Sequence, residues 1–283
     1  MYRQVLSIAG VTMAVESQRD FLLADRCYAF RVEAQTPEIT FRLLPAEGFD
    51  PAGMVCLHQG DHRSIWQQGQ VQFYVCTDRQ DRQTLRWFTR RSPEQPGLVE
   101  VFVQAADVWE RVNPLTFVEL SDFMIRQGVM ILHSSLIACQ GRGLVFTAPS
   151  GTGKSTQAEL WRTCRQAEIL NGDRSMIRRL ENGYLAYGSP YAGSSSIYRN
   201  ESVPLTGLVV LRQAKYNRVR RLKTREAYLC LLSEMSVSPI SRETVELQSR
   251  WLLELIEQVP VWLLECLPDE GAVDTLYDVW KEL

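Results

Sequence analysis

One short segment of the chain carries the residue types that bind phosphate groups. Residues 148–156 read APSGTGKST. Gly151 and Gly153 allow the backbone N–H groups of such a loop to turn inward. Lys154 can then reach the terminal phosphates of a nucleotide, and the Ser155 hydroxyl can ligate Mg²⁺. We therefore predict a nucleotide site formed by consecutive residues: Ser150, Gly151, Thr152, Gly153, Lys154, Ser155 and Thr156.

The elements on either side of the loop decide whether this match is a chance one. The apolar run GLVFT before the loop predicts a strand, and a helix is predicted from about Ser155 to Arg165. The positive end of that helix would point at a bound anion. Ala148 is a departure, because the strict motif has Gly there. The alternative is a Gly- and Ser-rich loop with a surface lysine, but the strand and the helix favour a nucleotide site.

A second pattern precedes and follows the loop. The segment HSSLIACQGRGLVFTAPSGTGKS begins at His133 and contains a strand, a Gly-containing turn and a second strand, and LNGDRSMI begins at Leu170. Both segments resemble the HPr kinase/phosphorylase and phosphoenolpyruvate carboxykinase group, over about residues 130 to 190. The resemblance implies an α/β, mixed-sheet, partly barrel-like P-loop kinase core with helices mainly on one side. It also implies ATP and Mg²⁺ as cofactors.

The acidic segment departs from the relatives. They carry paired aspartates, whereas this chain has Gly172-Asp173-Arg174 and therefore one carboxylate. Aligned with the kinases, Asp173 takes the position of the general base; aligned with the carboxykinases, it takes the position of a metal ligand, and both roles stay open. His133 is predicted to lie beside the phosphates, although a structural histidine at a strand start is the alternative. The predicted catalytic residues are Asp173, His133 and Lys154, and the predicted metal ligands are Ser155 and Asp173.

Candidates for substrate contact follow this segment. The stretch GSPYAGSSSIYRNES, residues 188–202, is a loop of small and polar residues that either covers the site or only connects two strands. Arg174 and Arg199 are candidates for binding phosphate or carboxylate, because a guanidinium matches both groups. Ser189 is a third candidate. Each of the two arginines is equally compatible with a surface charge.

The first part of the chain has a different pattern. Apolar runs VTMAV, ITFRLL, VQFYVC, TLRWFTR and LVEVFVQ alternate with turn residues, which predicts a β-rich domain over residues 1–110. This smaller domain is a candidate for presenting the acceptor. Asn113-Pro114 predicts the start of a helix whose apolar face extends to Leu132. The P-loop kinase domain is predicted over residues 111–283.

Composition excludes several classes of protein. The net charge is −2, so no general basic field attracts nucleic acid, and the run at 218–225 fits a solvated strand and helix start. The seven cysteines include no Cys-x-x-Cys pair and fit reduced thiols. The N-terminal residues fit neither a secretory signal nor a membrane span, so we expect a cytoplasmic location without a membrane partner.

Two functions are compatible with these features. The first is an ATP-dependent kinase that phosphorylates a serine-type hydroxyl on a peptide, a protein or a small molecule. HPr itself is a poor acceptor candidate, because the later Arg-Gly-x-Gly-type signature of that family is missing from the sequence. The second is a nucleotide-binding accessory or switch protein with little or no transfer, which the single aspartate favours. A homo-oligomer is compatible with the sequence but not specified by it.

Overall fold

The chain divides into two compact units, Met1–Phe123 and Met124–Leu283. The structure is a computed structural model that describes residues 1–33, 36–238 and 242–282. The division falls later than residue 110, where the sequence pattern changes. The first unit therefore includes a 3₁₀ helix, Pro114–Thr116, that follows the predicted boundary.

The first unit contains one eight-stranded mixed sheet. Its strands are β1 (Tyr2–Ile8), β2 (Val11–Ser17), β3 (Ile39–Pro45), β4 (Val55–Gln59), β5 (Arg63–Gln68), β6 (Val71–Thr77), β7 (Leu85–Arg91) and β8 (Leu98–Val103). They are ordered β1-β2-β3-β8-β7-β6-β5-β4, and β3 pairs in parallel with both neighbours. Besides Pro114–Thr116, its helical segments include a 3₁₀ helix, Asp25–Phe30, and α1 (Ala106–Glu110). All five predicted runs are strands, but β1, β4 and β5 were not predicted, because polar residues interrupt their apolar patterns.

The second unit is built on another mixed sheet. Its strands are β9 (Val129–Cys139), β10 (Arg142–Thr147), β11 (Glu168–Asn171), β12 (Arg174–Leu180), β13 (Gly183–Tyr187), β14 (Ser202–Gln213), β15 (Arg218–Arg221) and β16 (Val261–Cys266). The order is β10-β9-β12-β13-β14-β16-β15, with β11 beside β9. Because β10 also pairs with β14, five strands close into a ring, and the sheet is partly barrel-like.

Helices cover both faces of this sheet. They are α3 (Lys154–Arg165), α4 (Thr224–Glu234), α5 (Arg242–Gln258) and α6 (Glu270–Trp280). Alternate residues of a strand point to opposite faces. Accordingly Phe146 packs with α3 and α6 in one core, whereas Val145 packs with α4 and α5 in the other. The expectation that the helices lie mainly on one side is therefore wrong, while the α/β class with a mixed sheet is confirmed.

The helix predicted from Asn113 to Leu132 is much shorter. Asn113 does act as a cap, since its side chain accepts a hydrogen bond from the backbone N–H of Leu115. However, α2 covers only Leu120–Arg126, and β9 begins at Val129. The run from Val129 to Leu132 pairs with β12 and is buried, so tertiary burial overrides the helical spacing.

The strand and the helix predicted on either side of the phosphate loop are present as β10 and α3. The residues MIRRL and YLAYG form the hairpin of β12 and β13, and the basic run begins as the short strand β15 before α4. All seven cysteines are free thiols. In the part of the chain that the structure describes, no helix is long and apolar enough to cross a lipid bilayer.

Candidate functional site

The phosphate loop connects the end of β10 directly to α3. Gly151 has a φ of 80° and Gly153 a φ of 118°, which is left-handed backbone that favours glycine. Gly153 caps α3 without a side-chain hydrogen bond, and the first turn of the helix carries no acidic residue. The first N–H groups of α3 are therefore not neutralised by a local carboxylate, and this helix end favours an anion.

Lys154 is held inside the loop. Its side chain folds back so that Nζ donates to the carbonyl oxygens of Ala148, at 2.7 Å, and Pro149, at 3.4 Å. The residue is only 7% exposed. Burial lowers the pKa of Lys154, and the negative charges of Glu234 and Asp173 oppose that shift. A bound phosphate would give this ammonium group a charged partner in place of neutral carbonyl oxygens.

Asp173 is positioned by a buried amide between β11 and β12. Asn171 is fully buried, and its Oδ1 accepts hydrogen bonds from the backbone N–H groups of Asp173, at 3.0 Å, and Arg174, at 2.7 Å. Its Nδ2 donates to the carbonyl oxygens of Ser189 and Tyr191. The Asn171 amide therefore fixes the turn that carries Asp173.

His133 lies beside Asp173 because β9 pairs with β12. The register places His133 opposite Arg174, and the backbone N–H of Ser134 donates to the carbonyl oxygen of Asp173. His133 Nε2 is 3.7 Å from Asp173 Oδ1. On the other side, the Thr147 hydroxyl donates to the His133 carbonyl oxygen at 2.9 Å, which ties this position to the end of β10. The structure thus brings His133 and Asp173 together at the strand that enters the phosphate loop.

Glu234 is a second carboxylate at this position, and the sequence did not predict it. It is the last residue of α4, its side chain is 10% exposed, and its Oε2 lies 3.2 Å from His133 Nδ1. The backbone holds it there, since the N–H of Ser236 donates to the carbonyl oxygen of Ile131 in β9. A carboxylate only accepts hydrogen bonds, so the contact assigns the donor role to Nδ1.

The loop after β13 packs against the acidic segment. Gly193 has a φ of 52°, and a Cβ atom at this position would lie 3.0 Å from Asp173 Cγ. A side chain at this position would crowd the Asp173 carboxylate, and glycine avoids this steric conflict. The segment at 188–202 therefore borders the Asp173 side of the site.

Comparison with known proteins places this region in a family. The sequence profile of the SynChlorMet cassette protein ScmC family matches residues 116–267, which is more than half of the chain. The chain belongs to this family. The matched segment includes the phosphate loop, His133, Asp173 and Glu234.

Comparisons with curated proteins and with solved structures do not identify a family. No curated protein matches the sequence. Among solved structures, the Hpr(Ser) kinase/phosphatase from Coxiella burnetii is similar with a TM-score of 0.33 and 11% sequence identity. The similarity covers 54% of this chain and 96% of that chain. It is a distant likeness.

Two clefts border the phosphate loop. One has a volume of about 660 Å³ and is lined by the loop, the end of β14 and the α4 residues Cys230, Ser233 and Glu234. The other, of about 380 Å³, is lined by the loop, Thr156, Gln157 and the segment 266–268. Gln213 contributes to both, and its Nε2 donates to the carbonyl oxygen of Thr152 at 3.3 Å.

The three predicted substrate residues have different surroundings. Arg174 is near the site: its Nε is 3.9 Å from Asp173 Oδ2, and its Nη1 donates to the Ser236 hydroxyl. Arg199 instead pairs with Glu168 at 2.7 Å. Ser189 is fully buried, and its hydroxyl donates to the carbonyl oxygen of Arg174. Of the three, only Arg174 has a side chain that the structure brings to Asp173.

Ser155 and Thr156 lie exposed in the first turn of α3. Within the described ranges, no group of three or more His, Cys, Asp or Glu side chains is arranged to hold a metal ion. Mg²⁺ commonly binds to one or two protein ligands together with nucleotide phosphates and water. The Ser155 hydroxyl and the Asp173 carboxylate, which is 29% exposed, are oxygen donors of the kind that such an ion takes.

Proposed function

We propose that this chain is an ATP-dependent kinase that phosphorylates a serine-type hydroxyl on a peptide, protein or small molecule. The observation that supports this most is the convergence of His133, Asp173 and Glu234 beside the buried Lys154 of the phosphate loop. A nucleotide-binding loop alone would not require a proton-accepting group next to it. Phosphoryl transfer to a hydroxyl does.

The phosphate loop would bind the triphosphate. The N–H groups of the loop and of the start of α3 would donate to phosphate oxygens, and Lys154 would exchange its two carbonyl partners for a phosphate oxygen. The Ser155 hydroxyl would hold Mg²⁺, which neutralises phosphate charge when bound, and the Asp173 carboxylate would be left to accept the proton. In this arrangement the loop supplies binding and charge neutralisation.

The acidic cluster, which consists of His133, Asp173 and Glu234, would accept the proton. The oxygen of the acceptor hydroxyl forms a bond to the γ-phosphorus of ATP, and the bond from that phosphorus to the bridging oxygen of ADP breaks. The hydroxyl proton passes to the Asp173 carboxylate, in the role of general base. His133 Nε2, at 3.7 Å from Asp173 Oδ1, is close enough to interact with this carboxylate as its charge changes.

Glu234 would position His133. Because Glu234 accepts the hydrogen bond from Nδ1, it fixes the ring orientation and leaves Nε2 directed to the Asp173 side. The single aspartate of the sequence favoured an accessory protein without transfer. A second carboxylate from α4 weakens that argument, because the site then has two acidic groups around His133.

Incubation with ATP and a panel of acceptors tests the proposal. The panel contains serine-bearing peptides, a folded protein with exposed serines and free serine, and mass spectrometry detects a phosphate added to each. We expect transfer to at least one hydroxyl class, with Mg²⁺ required. Binding of ATP without transfer to any acceptor, in the wild type, would instead support the accessory function.

A further inference from the structure

A further cleft, lined by arginines, lies in the first unit. It has a volume of about 520 Å³ and lies at the start of β5, the end of β6 and the start of β7, with α1 and the following turn along its side. Four arginines line it: Arg63, Arg79, Arg86 and Arg111. Its acidic residues are Asp78 and Asp107, so the guanidinium groups outnumber the carboxylates.

Both carboxylates are used by one of the arginines. Arg86 pairs with Asp78 at 3.4 Å and also with Asp107. Arg63, Arg79 and Arg111 form no ion pair with any carboxylate in the part of the chain that the structure describes. The cleft therefore presents positive charge that the surrounding side chains do not neutralise.

Arg63 is the least accessible of these groups. Its Nη1 donates to the Tyr74 hydroxyl at 3.1 Å, and its Nε is buried without a hydrogen-bond partner in the described structure. Burial raises the pKa of Tyr74 and of Cys76, so both neighbours are neutral near pH 7. A guanidinium withdrawn from water beside neutral groups is costly, and an anion that enters the cleft offsets the cost.

The neighbouring His62 lies among the same positive charges. Burial lowers the pKa of His62, and the positive charges of Arg63 and Arg79 lower it further. Asp61 acts in the opposite direction but does not reverse the shift. The potential in this part of the cleft is therefore positive, which favours an anionic ligand.

We propose that this cleft binds an acidic peptide segment, with carboxylates paired to Arg63 and Arg111. A guanidinium fork matches the carboxylate geometry. The volume exceeds that of one small anion, and Asp78 and Asp107 would disfavour a polyanion with a charge on every unit. The proposal goes beyond the kinase function and does not depend on it.

Fluorescence anisotropy with a labelled peptide of Glu and Gly residues tests the proposal on the full chain. The matched peptide has Gln in place of Glu. We expect only the Glu peptide to bind, with an affinity that falls as salt is added. Arg63→Gln should weaken binding about tenfold or more, the scale of a charged hydrogen bond, and the exposed Arg111→Gln about threefold.

Arg90→Gln is the control, because Arg90 lies on β7 but pairs with Glu100 at 2.5 Å instead of lining the cleft. It should leave the affinity unchanged. Equal binding of the Glu and Gln peptides overturns the proposal, and so does a cleft that binds inorganic phosphate but not the Glu peptide. If Arg63→Gln does not fold, Arg111→Gln decides, and unchanged affinity in that variant also overturns the proposal.

Discussion

The phosphate loop and the acidic cluster differ in how the chain assembles them. The loop is continuous, with every group between Ala148 and Thr156, and its conformation follows from its glycines and the adjoining strand and helix. The cluster is discontinuous: His133 comes from β9, Asp173 from the turn before β12, and Glu234 from the end of α4. Local sequence therefore determines the first, whereas the topology of the sheet and the packing of α4 determine the second.

We expect the two regions to have different functions, nucleotide binding in the loop and proton transfer in the cluster. If the loop binds nucleotide and the cluster handles the proton, substitutions in the loop should affect every use of ATP, and substitutions in the cluster should affect transfer more than binding.

Lys154→Ala should have the largest effect. We expect transfer to fall by about 10³-fold, because in the proposed mechanism the variant removes a charge that would stabilise the transferring phosphoryl group. Acceptor phosphorylation under saturating ATP measures the effect, and Lys215→Ala serves as the control because Lys215 is exposed. Normal turnover in Lys154→Ala would remove the loop from the mechanism.

Asp173→Asn should lower transfer by about 10²-fold, the scale of general-base catalysis, while ATP affinity changes much less. Asparagine keeps the shape but cannot accept the hydroxyl proton. Calorimetry gives the affinity and mass spectrometry the transfer. A loss of Mg²⁺-dependent ATP binding as large as the loss of transfer would assign Asp173 to the metal alone.

Glu234→Gln should lower kcat about tenfold, with KM for ATP nearly unchanged, because it weakens a charged hydrogen bond that orients His133. The chain has three histidines, so the ring ¹⁵N signals of His133 can be followed directly. They should shift in this variant and not in Glu226→Gln, which changes a carboxylate on the same helix that pairs with Arg220. Unshifted signals would show that Glu234 does not set the state of the ring.

Arg199→Ala should have the smallest effect, within about twofold of wild-type transfer, because Arg199 pairs with Glu168 at the surface and such pairs contribute little. Arg174→Ala, by contrast, removes a charge 3.9 Å from Asp173 and should raise KM for the acceptor several-fold. Steady-state kinetics on both variants compares them. A larger effect in Arg199→Ala than in Arg174→Ala would reverse this assignment.

The sequence predicted those elements whose signals are local. The loop, the turn at Gln140 and Gly141, and the hairpin of β12 and β13 follow from glycines and short apolar runs. The long helix predicted to Leu132 was wrong, because the same apolar residues also fit a strand buried on β12. Short apolar runs do not distinguish the two structures until their burial is known.

The site residues that the sequence did not predict are those whose contacts come from distant parts of the chain. Glu234 ends a helix whose sequence, TREAYLCLLSE, gives no sign that its last carboxylate meets a histidine on another element. The contact depends on the hydrogen bond between Ser236 and Ile131, and that bond depends on how α4 packs on the sheet. Asn171 was missed for a related reason, since its role depends on carbonyl groups of the later segment at Ser189 and Tyr191.

A double-mutant cycle tests most directly whether the cluster acts as one unit. Transfer rates at saturating ATP are measured for the wild type, His133→Ala, Glu234→Gln and the double variant, with circular dichroism to confirm folding. If Glu234 acts through His133, as we propose, the double variant should be no slower than His133→Ala alone. If the two losses multiply, Glu234 and His133 act independently, and the positioning role assigned to Glu234 is contradicted.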